Sequence, residues 1–182
     1  METLLFIGDS ITDSHRFQDP QDIGYGYVRL IRDYLKVSYP DQCLQVVNKG
    51  ISGDHIKDLV PRWKQDVIDQ NPAYLSICIG INDVWSRLDN LERESVDPVK
   101  YEDIFCFLLD ELKERTKAKI ILMEPTIHGE EISSQGNKLL APYVEVVRKL
   151  AVQYDAVLVP THQAFLEYFY MSRTLVHVHI LR

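Results

Sequence analysis

The 182-residue chain carries 20 Lys and Arg against 27 Asp and Glu, a formal charge of −7, and 46 % hydrophobic residues. That length and composition fit one globular domain over residues 1–182, with core enough to fold without disulfide or metal staples. The acidic balance and the lack of a dense Lys/Arg patch argue against nucleic acid or a membrane surface as partner.

Residues 3–7 are apolar and predict a buried strand. Residues 24–39 place Tyr27, Leu30, Ile31, Tyr34 and Leu35 at helical spacing. A short strand follows at 44–48, then a helix over 54–70 that Pro61 is expected to break or restart. Residues 73–79 predict a second buried strand. Residues 99–116 hold Tyr101, Ile104, Phe105, Leu108, Leu109 and Leu112 on one helical face, with Asp97 before Pro98 as a start signal. Then come a strand at 119–124 stopped by Pro125, a helix at 138–153 and a fifth strand at 156–159 before Pro160. Apolar strands alternating with helices predict an α/β fold: a flavodoxin-like three-layer α/β/α sandwich around a five-stranded parallel sheet. The polar segments 13–23 and 84–98 read as irregular rims or lids.

Cys43, Cys78 and Cys106 are odd in number, widely spaced and without a CxxC, which suits a reducing compartment. Glu2 stands where a signal peptide carries basic residues, and no apolar run approaches a membrane span. The expected location is cytoplasmic.

Three polar turns close successive strands: Gly8-Asp9-Ser10, Asn48-Lys49-Gly50-Ile51-Ser52-Gly53 and Gly80-Ile81-Asn82-Asp83. Open α/β sheets put their chemistry at that end of the strands. A serine hydroxyl is a latent nucleophile, though Ser10 also suits a helix N-cap. A glycine N–H and an asparagine amide are good donors to an oxyanion, though Gly53 and Asn82, each taken alone, read more readily as turn residues. Three such turns together point to one shared site.

These blocks resemble the SGNH hydrolase superfamily, the GDSL-type esterase/lipase family, in residues, order and spacing. The stretches Gly26-Tyr27-Val28 and Asn82-Asp83-Val84-Trp85 are similar to its small bacterial carbohydrate-esterase-like members. The resemblance implies a serine hydrolase that cleaves short-chain acyl esters, acetyl-sugar esters among them, through an acyl-serine intermediate, with no cofactor and no metal. It implies Ser10 as nucleophile, and the Ser10 and Gly53 N–H groups with the Asn82 amide as oxyanion hole. Asp9, Asp54 and Asp83 would hold the turns. Trp85 and His55 are candidates for substrate contact, with His15, Tyr25 and Tyr27 nearby.

The family ends in Asp-x-x-His-Pro and a last helix. This chain ends Thr174-Leu175-Val176-His177-Val178-His179-Ile180-Leu181-Arg182, with no carboxylate three residues before either histidine and no proline after it. His177 is the expected base, with His179 as the alternative. On an extended segment the two histidines would share a face, but no third ligand has useful spacing, so no metal site is read. The chain is expected to lack the family's final helix, and the apolar surface so uncovered suggests a homodimer. Two other readings stand: a catalytically impaired ligand-binding module, and a flavodoxin-like signalling module, which lacks its phosphate-binding loop here.

Overall fold

The computed structural model describes residues 2–89, 96–127, 129 and 131–180. Five strands form one sheet: β1 (Glu2–Gly8), β2 (Leu44–Gly50), β3 (Tyr74–Cys78), β4 (Lys119–Met123) and β5 (Val157–Val159). Their order is β2-β1-β3-β4-β5, and every pairing is parallel. Parallel neighbours need crossovers, and α1 (Ser10–Asp13), α2 (Tyr27–Ser38), α3 (Ile56–Trp63), α4 (Ile81–Asp89), α5 (Pro98–Arg115) and α6 (Gln135–Gln153) lie in them. The predicted flavodoxin-like α/β fold is the fold observed.

Side chains on β1 alternate between two cores. Leu5 and Ile7 enter the larger one with Ile56 and Leu59 of α3, Phe105 and Leu108 of α5, and Val144 and Val147 of α6. Leu4 and Phe6 enter the smaller one with Val28, Tyr27, Ile31 and Leu35 of α2. Burial on both faces explains the unbroken apolar runs. Asp97 caps α5 as expected, accepting from the Val99 and Lys100 N–H groups at 2.9 and 3.0 Å.

Four expectations are corrected. Pro61 lies within α3 without ending it, and the chain continues through a π-helical turn at Lys64–Ile68. Segment 84–98 is not wholly irregular, because α4 occupies Ile81–Asp89. Segment 13–23 is no loose lid: Asp19 is buried and accepts from the Gln21, Ile23 and Gly24 N–H groups and from Arg29. After β5 the chain enters α7 (Thr161–Ile180), a helix absent from the sequence reading. His177 and His179 therefore stand on helical backbone, not on an extended segment; their side chains lie outside what the structure describes. Among the described residues no helix is long and apolar enough to cross a membrane.

Candidate active site

The strand register brings the three polar turns together. Gly8 pairs with Gly50 on one side and Cys78 on the other, so the chain leaves β1, β2 and β3 at one edge of the sheet. Gly8 has to be glycine, since a Cβ there would lie 2.0 Å from the Cys78 carbonyl oxygen. The Ile51 N–H donates to the Gly8 carbonyl at 3.0 Å and binds the second turn to the first.

The first turn separates capping from chemistry. Asp9, not Ser10, is the N-cap of α1: its Oδ1 accepts from the Ile11 N–H at 3.0 Å. Ser10 is exposed and its hydroxyl has no hydrogen-bond partner among the described residues. Asp9 is buried beneath it, and burial first, then the nearby Asp54, pushes its carboxyl up to about 7.

In the second turn Gly53 has φ +89, a left-handed backbone that favours glycine. Nothing lies within 4 Å of where its Cβ would stand, so conformation and not space sets the residue type. Asn48 sits at the root of this turn. Its amide donates to the Thr12 and Ile23 carbonyls at 2.7 and 2.8 Å, and its oxygen accepts from the Gly50 N–H. Ser52 donates to Asp13, a further tie between the first two turns.

The third turn leads into α4. Asn82 donates one amide hydrogen to the Asp54 carbonyl at 2.9 Å, leaving the second hydrogen of the same Nδ2 for another acceptor. The fully buried Asp83 accepts from the Ile56 N–H at 3.3 and 3.2 Å, and burial pushes its carboxyl up to about 7.

Two predicted substrate-contact residues have structural partners. The His55 Nε2 lies 2.5 Å from the Ser86 Oγ, and its Nδ1 lies 3.0 Å from Asp58, so the ring joins α3 to α4. The Trp85 ring packs on α6, where a Cβ on Gly136 would lie 2.3 Å from it. His15 is exposed with φ 61. Tyr27 is partly buried, its hydroxyl 3.0 Å from the Thr12 Oγ1 and its ring edge-on to Phe6. Tyr25 is exposed.

Sequence reasoning missed Arg62. Its guanidinium donates to Asp54 at 3.0 and 2.7 Å, to Asp66 at 3.0 Å, and to the Lys49 and Gly8 carbonyls at 2.8 and 3.4 Å. It therefore clamps the ends of β1 and β2. Burial outweighs this cation at Asp54, whose carboxyl still sits above its ordinary value. A signal was present: Asp54, Asp58, Arg62 and Asp66 recur every fourth residue, the spacing that puts side chains on one face of a helix predicted over 54–70.

The chain matches the GDSL-like Lipase/Acylhydrolase family over residues 6–179. It is 40 % identical over 174 residues to an acetylxylan esterase of Geobacillus stearothermophilus, covering 91 % of this chain and 78 % of that protein. An uncharacterized lipoprotein of Bacillus subtilis (strain 168), YqeF, is 26 % identical over 140 residues, 68 % of this chain and 57 % of its own length. Among solved structures, the Geobacillus stearothermophilus acetylxylan esterase Axe2 superposes with a TM-score of 0.86 at 38 % identity, covering 93 % of this chain and 80 % of its own. LAE5, an alpha/beta hydrolase enzyme from the metagenome of Lake Arreo, Spain, gives 0.85 at 31 % identity, covering 93 % and 81 %. Catalytic mutants of Axe2 replace a serine, an aspartate and a histidine by alanine.

Proposed function

We propose, since this chain belongs to the GDSL-like lipase/acylhydrolase family and is a carboxylic ester hydrolase, that it removes short acyl groups, acetyl esters on sugars in particular, with Ser10 as nucleophile. The observation that carries this reading is the side-by-side register of Gly8, Gly50 and Cys78, with Ser10 exposed and relieved of capping by Asp9. The acetylxylan esterase activity named for the 40 % identical relative supports the acetyl-sugar substrate.

In the proposed reaction the Ser10 Oγ attacks the ester carbonyl carbon as its proton passes to a base. The new C–O bond pushes the carbonyl electron pair onto oxygen. The Ser10 and Gly53 N–H groups and the free amide hydrogen of Asn82 are assigned to that oxyanion. Collapse expels the sugar alkoxide, which takes the proton. Water then attacks the acyl-serine by the same steps in reverse and releases the acid. The base is assigned to His177, with His179 as the alternative, following the family's C-terminal histidine. We assign His55 and Trp85 to holding the site's frame, because each already has a packing or hydrogen-bond partner. The proposal includes a cytoplasmic setting, which the three free cysteines suit.

An impaired, ligand-binding member is the second reading: the residues three before His177 and His179 are Thr174 and Val176, not carboxylates, and loss of an orienting acid in a well-studied triad costs about 10⁴ in kcat. Hydrolysis of 4-nitrophenyl acetate by the native chain and by Ser10→Ala decides between them. Release of nitrophenol that depends on Ser10 supports the esterase; equal rates from both proteins remove it.

A further inference from the structure

Two large aromatic rings stand exposed in the stretch of chain that follows the nucleophile turn. Phe17 is 70 % exposed and Tyr25 is 56 % exposed, both in the segment between α1 and α2. Isolated exposed aromatics are ordinary, but these two are held in place. The Arg16 guanidinium lies 3.9 Å from the centre of the Phe17 ring, and that of Arg29 lies 5.1 Å from the centre of the Tyr25 ring.

Both cations are anchored in turn. Arg16 is buried and donates to the Gly50 carbonyl at 2.7 Å, at the end of β2, and to Asp22 at 2.8 Å. Arg29 donates to the Gly24 carbonyl at 2.7 Å and to Asp19 at 2.6 Å. The Tyr25 hydroxyl donates to the Gln18 carbonyl at 3.4 Å, so its ring reaches back to the residue beside Phe17. The backbone ties this pair to the nucleophile turn: the Tyr25 N–H donates to the Ser14 carbonyl at 2.9 Å, and the Ser14 N–H to the Ser10 carbonyl at 3.0 Å.

The rings are thus two platforms, registered to the sheet edge, each with one face on a cation. A guanidinium on one face draws on the ring's electron density, which makes the other face a poor seat for a second cation. The fit is a neutral, flat, apolar face that packs by contact area, and the axial C–H face of a pyranose is one.

We infer that Tyr25 and Phe17 form a stacking subsite for the pyranose rings of an oligosaccharide whose acetyl ester lies at Ser10. The inference rests on the acetyl-sugar reading and names where the sugar is held. Ordering cost is small because the rings are fixed before binding.

The test is titration of xylotetraose, which has no ester to cleave, into the native chain, Tyr25→Ala, Phe17→Ala and Tyr25→Phe by isothermal calorimetry, with thermal melts to show that each is folded. Native and Tyr25→Phe are expected to bind alike, and each alanine variant about five- to tenfold more weakly, as suits one lost ring contact. Unchanged affinity in folded alanine variants overturns the subsite, as does a native chain that does not bind xylotetraose. A Tyr25→Ala variant that changes oligomeric mass by light scattering also overturns it, since the rings then belong to a protein contact. Turnover of 4-nitrophenyl acetate by the native chain is read separately: its absence beside intact, ring-dependent sugar binding removes the esterase reading and leaves the subsite standing.

Discussion

Removing the Arg62 guanidinium tests how the three turns are held together. Arg62 and Asp54 keep only 14 % and 13 % of their side-chain surface exposed. Arg62→Ala leaves the Asp54 carboxylate and the Lys49 carbonyl without their guanidinium donors. Asp66 keeps a partner in Lys49 at 3.2 Å, so the loss falls on Asp54. Breaking a buried pair from one side costs about 3–5 kcal/mol, and the residual exposure here puts Arg62→Ala near the lower end. With a urea m-value of about 2 kcal/mol/M, that lowers the midpoint by roughly 1.5 M at unchanged slope. Trp63 and Trp85 fluorescence reports the transition. Asp54→Asn in the Arg62→Ala background removes the stranded charge, so the double variant regains part of the loss and the cycle shows coupling of about 2 kcal/mol. A loss under about 1 kcal/mol, or strict additivity, refutes the clamp, because either result means water already serves these groups.

Further outcomes follow from the same contacts. Asn82→Ala is expected to lower kcat by about 10²–10³ with little change in KM, while its lost bond to the Asp54 carbonyl costs only about 1 kcal/mol of stability; a kcat within tenfold of the parent removes Asn82 from the oxyanion hole. Asp83 is raised to about 7, so between pH 4 and 7 the native state keeps a proton that the unfolded state has lost. Its contribution is therefore complete below about pH 4 and is lost as pH rises through about 7, by at most roughly 4 kcal/mol. Asp83→Asn, which can still accept from the Ile56 N–H, is expected to flatten that decline in denaturation midpoints taken from pH 5 to 8, and an unchanged slope disproves the burial argument. A homodimer formed through the exposed Phe165, Tyr168, Tyr170 and Met171 of α7 would give twice the monomer mass by light scattering, and a monomer at all concentrations rules it out.

The corrected elements share a cause: local signals were read without their partners. Pro61 resembles a helix breaker, yet packing of Ile56, Leu59 and Trp63 carries α3 through it. Segment 13–23 resembles a lid because its polar residues look unattached, and it is the Asp19 carboxylate that gathers three N–H groups and Arg29 into a fixed loop. Trp85 also has a packing partner invisible in the local sequence, Gly136, fifty-one residues later.

Sequence alone determined the parallel α/β sheet, because strands buried on both faces need continuous apolar runs and each strand end needs a turn residue. It also marked Ser10, Gly53 and Asn82 as candidates, since their residue types and order are local properties. Only the tertiary structure decided that Asp9 takes the cap and leaves Ser10 free, that Arg62 ties two strand ends, and that Tyr25 stands outside while Tyr27 turns inward. Those outcomes depend on which groups meet across long stretches of chain and how far water is excluded there, and neither distance nor solvent is written in the order of residues.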